Sequence, residues 1–247
     1  MISKGELKNI FFKKEHADLN RYPFSLPFFR INSGIKISPA VTFFVGENGT
    51  GKSTLLEAIA VASGFNPEGG SVNFSFGTRP SHSVLHEYIT TSRGTQRHSD
   101  GYFLRSESFF NVATEIENMD AEPLGGGKII DSYGGRSLHE QSHGESFWSL
   151  FIHRFGGNGF YILDEPEAAL SPSRQMAMLI KMHELIATGS QFIIATHSPI
   201  LLAYPNALIY EFSEFGMEPR RYEQTQLFQS YNDFFRNPAY VVRELLR

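Results

Sequence analysis

Residues 46–53 read Gly46-Glu47-Asn48-Gly49-Thr50-Gly51-Lys52-Ser53 and carry the motif that sets the fold class. An apolar run of β-branched and aromatic residues, 41–45, comes just before it and predicts a buried strand. The segment 53–63 that follows is apolar on most faces, as a buried helix would be. Residues 46–53 fit the pattern G-x-x-x-x-G-K-[ST] in the strand-to-helix setting that a phosphate-binding loop requires. The sequence therefore predicts such a loop at the centre of an α/β fold.

Each residue type in this loop has a chemical reason to be there. Glycines let the backbone curl so that successive N–H groups point at phosphate oxygens, and the helix N-terminus adds a positive dipole. We expect Lys52 to reach the β- and γ-phosphates and the Ser53 hydroxyl to ligate Mg²⁺. We also expect Thr54, the next residue, to contact the nucleotide. The alternative, an ordinary glycine-rich turn, is disfavoured by the flanking strand and helix.

A second apolar run, 160–163, ends in two carboxylates, Asp164 and Glu165. Because side chains alternate along a strand, these two residues face different ways and can hold different roles. We expect Asp164 to bind Mg²⁺ and Glu165 to polarise the attacking water. The alternative is that acidic residues merely mark the end of a strand.

A third apolar run, 191–196, leads into His197. A lone histidine is more often a surface residue or a satisfied core residue than a functional one. At the tip of a strand that follows the acidic strand, however, it would lie at the same sheet edge as the γ-phosphate. We therefore predict a catalytic role for His197.

Strands that alternate with helices predict a mainly parallel sheet covered by helices. The pattern also predicts a helix over about 172–188, a strand over about 207–212 and a last helix from about 230 to 246. Residues from about 65 to 133 are rich in Gly, Ser, Asn, His and Arg, with one candidate strand at 101–105. We interpret residues 1–247 as a single α/β domain with a small helical or irregular lobe inserted at about 65–150.

The composition narrows the classes of function. The net charge of −4 draws the protein neither to nucleic acid nor to an anionic membrane. The absence of cysteine excludes disulfides and thiolate catalysis. No run of about 18 apolar residues and no secretory signal occurs, so we expect a cytoplasmic protein without membrane insertion. The 23 phenylalanines suggest a thick core more than an apolar contact surface.

Together these motifs resemble the ATP-binding cassette (ABC) superfamily, especially its soluble branch near the SMC and RecF-like ATPases. The loop at 46–53 looks like Walker A, the run 161–166 (YILDEP) looks like Walker B with the catalytic glutamate, and His197 looks like the switch histidine. Residues 168–171 resemble the D-loop. The resemblance implies a P-loop NTPase fold of the ABC type that binds ATP with Mg²⁺ and hydrolyses it.

Between the two Walker motifs, residues 141–146 (QSHGES) resemble the ABC signature and open a predicted helix. By this resemblance Ser142, Gly144 and Glu145 contact the nucleotide. His143 stands where glycine is usual, and a glutamate in place of glutamine at position 145 is common in the soluble branch.

Two further contacts follow from the resemblance. The Q-loop residue, which senses the γ-phosphate, has two candidates, Gln96 and Glu107, of which we prefer Glu107 because it follows the candidate strand at 101–105. Tyr22 lies in a place similar to the aromatic A-loop that stacks on adenine, and a core tyrosine is the alternative. The whole chain also resembles small stand-alone bacterial ATPases through segments such as NRYPFSLP and ATHSPILLAYP.

The resemblance implies that the signature of one copy closes over ATP held by the phosphate loop of another, in a head-to-tail homodimer formed on ATP binding. The leading interpretation is a soluble motor or switch that acts on a protein or nucleic-acid partner, in DNA repair or in defence against mobile elements. The alternative is the nucleotide-binding subunit of an ABC membrane transporter. A P-loop kinase or GTPase would have no use for the signature or for His197.

Overall fold

The computed structural model describes residues 5–38, 40–71, 83–121 and 128–247. The strands, in chain order, are β1 (Gly5–Phe12), β2 (Gly34–Lys36), β3 (Val41–Gly46), β4 (Ile89–Arg97), β5 (Asp100–Arg105), β6 (Gly159–Asp164), β7 (Gln191–Ala195), β8 (Leu208–Ser213) and β9 (Gly216–Arg220). The α-helices are α1 (Pro27–Ile31), α2 (Lys52–Ser63), α3 (Phe109–Ala121), α4 (His143–Ser149), α5 (Pro172–Ala187), α6 (Pro199–Leu202), α7 (Gln226–Arg236) and α8 (Pro238–Leu245).

The central sheet has the strand order β5-β6-β7-β3-β8-β9. The first five of these strands run parallel, and β9 returns antiparallel to β8 as a hairpin. The prediction of a mainly parallel sheet flanked by helices is confirmed. Because the strands are parallel, the carboxyl ends of β3, β5, β6 and β7 meet at one edge of the sheet.

The central strands are buried on both faces, so alternate side chains enter two different cores. In β3, Val41, Phe43 and Val45 pack with α3, α4 and α5 on one face. Phe44 points the other way and packs with α2 and β1. The phenylalanines supply both cores, as the composition suggested. The sheet is therefore held rigid from both sides, which fixes the position of its carboxyl edge.

The strand predicted at 101–105 lies in the central sheet and not in an inserted lobe. It is β5, which pairs along its whole length with β6, and its last residue, Arg105, is opposite Asp164. The neighbouring β4 pairs with β1 in a separate antiparallel sheet of order β2-β1-β4. The local pattern of residues 65–133 predicts a lobe here, because the hydrogen-bond partners of β4 and β5 lie far away in the sequence.

The prediction of one last helix from about 230 to 246 is wrong. Two helices, α7 and α8, occupy this region and are separated at Asn237. Pro238 has no backbone N–H to continue α7, and the Asn237 side chain accepts a hydrogen bond from the Tyr240 N–H and so caps α8.

Candidate active site

The phosphate loop connects β3 to α2, and its glycines are required by close contacts. Gly46 has φ 138° and Gly51 has φ 97°, both in the region that favours glycine. A Cβ at Gly46 would lie 2.4 Å from the Phe212 carbonyl oxygen, and one at Gly51 would lie 2.7 Å from Cε1 of Phe28. The loop is therefore pressed against the body of the protein, and its curled backbone is open only on the solvent side.

Lys52 is the first residue of α2 and is almost fully buried. Its ammonium group donates to the Gly46 carbonyl at 2.7 Å and to the Glu47 carbonyl at 2.9 Å. Burial lowers the pKa of Lys52, and the nearby carboxylates of Glu165 and Asp164 oppose this shift. The loop thus holds one desolvated cation directly beneath the position where phosphates would sit.

Ser53 and Asp164 bring α2 and β6 together. The Ser53 hydroxyl donates to Oδ1 of Asp164 at 3.0 Å. Burial raises the pKa of Asp164 to about 6, although the hydrogen bond from Ser53 works against the shift. Carboxylate and hydroxyl oxygens are ligands that suit Mg²⁺. No group of three or more His, Asp or Glu side chains in the described parts of the chain, this edge included, could hold a metal ion by itself.

Glu165 leaves the strand in a left-handed conformation, with φ 50° and ψ 53°. Its N–H donates to the Ala195 carbonyl at 2.9 Å, and the Ser106 hydroxyl donates to its carbonyl oxygen at 2.8 Å. This turn separates the side chain of Glu165 from that of Asp164. A non-glycine residue held in this conformation is typical of a functional position.

His197 lies after β7 and faces Glu165. Its Nε2 is 3.5 Å from Oε1 of Glu165, and within the described structure this nitrogen accepts or donates no hydrogen bond. Burial lowers the pKa of His197, and the cation of Lys52 lowers it further, while Glu165 opposes both. A neutral imidazole therefore stands at the same edge as the phosphate loop and the acidic pair.

Glu167 is a residue that the sequence reasoning missed. One of its carboxylate oxygens accepts a hydrogen bond from the His197 N–H, and burial raises the pKa of this carboxyl. It ties the turn after β6 to the turn after β7. No sequence signal marks it, because a glutamate soon after an acidic strand end has no special spacing.

A cleft of about 510 Å³ opens beside the phosphate loop. Tyr22 lies at one side of it, and Ser53 and Thr54 lie at the other. Tyr22 is 60% exposed, and its hydroxyl is 3.1 Å from Oγ1 of Thr54. The alternative that Tyr22 is a core residue is therefore wrong, and its ring is free to contact a ligand in the cleft.

The floor of the cleft contains an ion pair that the sequence analysis also missed. Arg105, at the end of β5, donates to Oε2 of Glu57 on α2 at 2.7 Å, and both side chains are largely buried. The second amino group of Arg105 lies 3.7 Å from Glu107, whose side chain is exposed. The pair is 48 residues apart in sequence, so only the fold brings it together.

The structure separates the two candidates for the Q-loop residue. Glu107 follows β5 at the carboxyl edge of the sheet, beside Arg105. Gln96 lies in β4 and lines a different cavity with His98 and Ser190, which comes just before β7 begins. Glu107 is thus at the same sheet edge as the acidic pair, whereas Gln96 is beside the opposite edge.

The signature-like residues form the start of α4. Ser142 is the N-cap, and its hydroxyl and its N–H both donate to Oε2 of Glu145, at 2.7 and 3.1 Å. These hydrogen bonds lower the pKa of Glu145. A Cβ at Gly144 would lie 2.7 Å from the Ala169 carbonyl oxygen, so the glycine lets α4 touch the D-loop-like turn.

The phosphate loop connects β3 to α2, whereas the signature-like residues begin α4 and contact the turn at Ala169. Within the described ranges, no hydrogen bond joins residues 46–54 to residues 141–146. The described contacts thus join Ser53 to Asp164 and place His197 3.5 Å from Glu165, whereas the hydroxyl and N–H of Ser142 bond to Glu145 at the start of α4.

Comparison with protein-family models gives two matches. Residues 24–119 match a model described as "AAA domain", and residues 129–203 match one described as "AAA domain, putative AbiEii toxin, Type IV TA system". Among curated proteins, the ABC transporter G family member STR2 of Medicago truncatula is 28% identical over 172 residues. That match covers 64% of this chain and only 24% of the transporter.

Two solved structures show similarity at low identity. A nucleotide-free ATP-binding cassette from an ABC transporter has a TM-score of 0.52 and 17% identity, over 92% of this chain and 95% of that one. The SMC head domain from Thermotoga maritima has a TM-score of 0.44 and 16% identity, over 87% of this chain and 99% of that one. No helix in the described part of the chain is long and apolar enough to cross a bilayer. The matches to two AAA-domain models, the parallel sheet and the phosphate loop together show a P-loop NTPase fold, which this chain shares with the ATP-binding cassette of a transporter.

Proposed function

We propose that this protein binds ATP with Mg²⁺ and hydrolyses it in composite sites, each built from the phosphate loop of one copy and the signature-like helix of a second. The observation that carries this proposal is that the hydroxyl and the N–H of Ser142 bond to Glu145 at the start of α4, while no described hydrogen bond links Ser142 to the residues around Lys52. A second copy turned by a two-fold axis would supply Ser142 to each site and would build both sites at once.

Within one site, each residue has a distinct task. Lys52 and the loop N–H groups bind the phosphates, and Tyr22 flanks the base in the adjacent cleft. Ser53 and Asp164 would hold Mg²⁺, which when bound neutralises charge on the β- and γ-phosphates. Glu165 orients the attacking water and accepts its proton. Neutral His197, whose Nε2 is free, donates to the γ-phosphate.

Closure by the second copy completes the anion receptor. Ser142 and the N–H groups that begin α4 would contact the γ-phosphate from the opposite side. The hydroxyl of Ser142 is engaged by Glu145 at 2.7 Å, so it must turn away from that carboxylate when the phosphate arrives. Hydrolysis removes the bridging phosphate and lets the two copies part, which converts the chemical step into movement.

The biological setting that we favour is a switch acting on a protein or nucleic-acid partner in defence against mobile elements or in DNA repair. The family model over 129–203, whose description names a toxin of a type IV toxin–antitoxin system, supports the defence role. The curated relative and one similar structure come from ABC transporters, and they support the alternative of a transporter subunit. Copurification of a membrane protein with this chain from its host would favour the transporter.

ATP trapping tests the composite site. Glu165→Gln keeps the size of the side chain but cannot accept a proton, so we expect this variant to retain ATP through gel filtration. Adding Ser142→Arg should abolish retention, because the bulky cation fills the space meant for the opposite γ-phosphate. The measurement is the amount of unhydrolysed ATP that remains per protein chain.

The matched control is Ser132→Arg in the Glu165→Gln background, since Ser132 is an exposed serine on the turn 129–133. This control should retain as much ATP as Glu165→Gln alone. Equal retention by the Ser142→Arg variant would show that Ser142 does not belong to a composite site. If Glu165→Gln alone and both of its combinations with an arginine substitution failed to retain ATP, the Glu165→Gln substitution would not trap ATP.

A further inference from the structure

The last two helices expose an apolar surface for which the ATP site has no use. None of the residues of α7 or α8 is buried. We call residues 226–247 the C-terminal arm. Its exposed aromatic and leucine side chains, between 38% and 81% exposed, are Tyr231, Phe234, Phe235, Tyr240, Leu245 and Leu246.

The arm also forms one wall of an apolar groove on the body of the protein. The groove has a volume of about 590 Å³ and lies between α7 and the two helices α5 and α6. Leu179, Ile200 and Tyr222 line it on the body side, and Phe228 and Phe235 line it on the arm. The exposed face of the arm is therefore continuous with a groove that could receive another apolar side chain.

The extent of this surface matches what a stable dimer needs. Covering the six exposed side chains would remove on the order of 700 Å² per copy from water, since a buried aromatic side chain covers about 150–250 Å². A standard protein interface buries about 800 Å² on each partner. An apolar patch on a monomer seldom exceeds about 600 Å². Summed over the two helices, the exposed apolar area of the arm is thus larger than the largest apolar patch of most monomers.

The charges of the arm argue against a membrane or nucleic acid as the occupant. Arg247 pairs with Glu244 at 3.0 Å, and the guanidinium of Arg243 lies 5.7 Å from the centre of the Tyr240 ring. Residues 226–247 contain three arginines and two carboxylates, so the arm carries a net charge of only +1. Anionic lipid and nucleic acid both require an excess of basic residues on the polar face. A second apolar face requires no complementary charge.

The arm begins beside the catalytic edge. The Gln226 N–H donates to Glu211, and Gln226, Leu227 and Ser230 line a small cavity together with Glu47 and His197. An interface made by two arms can therefore share the two-fold axis of the ATP-dependent closure and need not build an open chain of subunits.

We propose that the C-terminal arms of two copies of this chain pack together, with or without nucleotide, and tether the pair. The tether surface is separate from the signature helix α4. It keeps two copies at a high effective concentration, so the ATP sites can open after hydrolysis without loss of the partner. The proposal does not depend on ATP being hydrolysed.

Sedimentation velocity of the full chain without nucleotide tests the tether. We expect the mass of two chains for wild type at micromolar concentration, and the mass of one chain for Phe235→Asp combined with Leu245→Glu. Both side chains are mainly exposed, so their replacement should leave the fold intact. The matched control is Phe215→Asp, a phenylalanine that is 73% exposed in the turn between β8 and β9, outside the arm.

Several results would overturn the tether. Wild type that sediments as two chains only with ATP, or as a single chain throughout, would assign the arm to another occupant. A double variant that keeps the mass of two chains would place the interface elsewhere. If the double variant and Phe215→Asp have the same melting temperature, loss of folding is excluded as the reason why the double variant is a monomer. A monomeric wild type that binds phosphatidylserine vesicles would identify the arm as a membrane anchor.

Discussion

At the scale of single residues, Asp164 combines a functional position with an energetic cost. The carboxyl is buried, and its pKa is raised from the ordinary 3.8 to about 6. The folded protein then binds the proton more tightly than the unfolded chain does, so stability falls as pH rises from 3.8 to about 6 and stays low above it. Two pKa units correspond to at most about 3 kcal/mol.

We therefore predict that Asp164→Asn stabilises the metal-free and nucleotide-free protein at pH 7.5. With EDTA present, the melting temperature should rise by about 3–6 °C, and the gain should vanish near pH 4.5, where the wild-type carboxyl is protonated. Circular dichroism at the two pH values measures both effects. The same variant should lose Mg²⁺-dependent ATPase activity, because the carboxylate that would hold the ion is gone.

Asp100 is the control, because its pKa is shifted in the opposite direction to that of Asp164. Burial alone would raise its pKa, but the guanidinium of Arg154, at 2.9 and 3.0 Å from its two oxygens, and further hydrogen bonds lower it. A lowered pKa gives stability that is present at neutral pH and is lost on acidification. Asp100→Asn should therefore melt below wild type at pH 7.5. If Asp164→Asn also melted at or below wild type there, burial of Asp164 would not be costly.

Lys52 is the only side chain of the loop that places a cation under the phosphates. We predict that Lys52→Ala reduces ATP hydrolysis by more than about 100-fold, because a preorganised charge is removed from the transferring group. Steady-state phosphate release measures this loss. Lys36→Ala, which changes an exposed lysine in β2, should retain wild-type turnover. Similar rates for the two variants would contradict the role of Lys52.

At the scale of elements, the contact between α4 and the turn 166–169 depends on a missing side chain. A Cβ at Gly144 would meet the Ala169 carbonyl at 2.7 Å, and backbone at that distance cannot yield without a shift of the helix. We predict that Gly144→Ala lowers turnover at least about tenfold while the isolated subunit binds ATP normally, since a shift of about 1 Å far from the chemistry can cost that much.

Fluorescent-nucleotide titration and phosphate release measure these two quantities separately. The control is Gly156→Ala, where the nearest atom to a new Cβ is Asp100 Oδ2 at an ordinary 3.6 Å. Turnover of Gly144→Ala equal to that of Gly156→Ala would show that the contact with the D-loop-like turn has no part in catalysis.

At the scale of the whole molecule, Lys52 and Ser142 are assigned to opposite halves of each site. Neither Lys52→Ala nor Ser142→Arg should hydrolyse ATP alone. A heterodimer that contains one of each has one site with both defects and one site with neither. Copurified heterodimers, isolated through two different affinity tags, should recover up to about half of the wild-type activity.

Strict coupling between the two sites would reduce this recovery, so the comparison must include heterodimers of wild type with each single variant. If those heterodimers are active while the heterodimer of Lys52→Ala with Ser142→Arg is inactive, the two residues act in the same site of one copy. A monomeric P-loop enzyme would show that result.

The sequence alone determined the parts of this protein whose interactions are local. The phosphate loop, its flanking strand and helix, and the acidic and histidine-tipped strands are contiguous runs with their own hydrophobic period and turn residues, so residues 41–63 could be predicted without a fold. The capping of α4 by Ser142 and Glu145 is local for the same reason.

Interactions between residues that are far apart in the chain became visible only in the folded structure. The Arg105–Glu57 ion pair spans 48 residues, the bond from the His197 N–H to Glu167 spans 30, and β5 belongs to the central sheet only because it pairs with β6 more than 50 residues later. Strand pairing and buried ion pairs are decided by which surfaces meet after chain folding, and a local pattern carries no information about that meeting. The exposed arm shows the same limit, since its sequence predicts a helix but not whether another element covers it, and the fold leaves no residue of α7 or α8 buried.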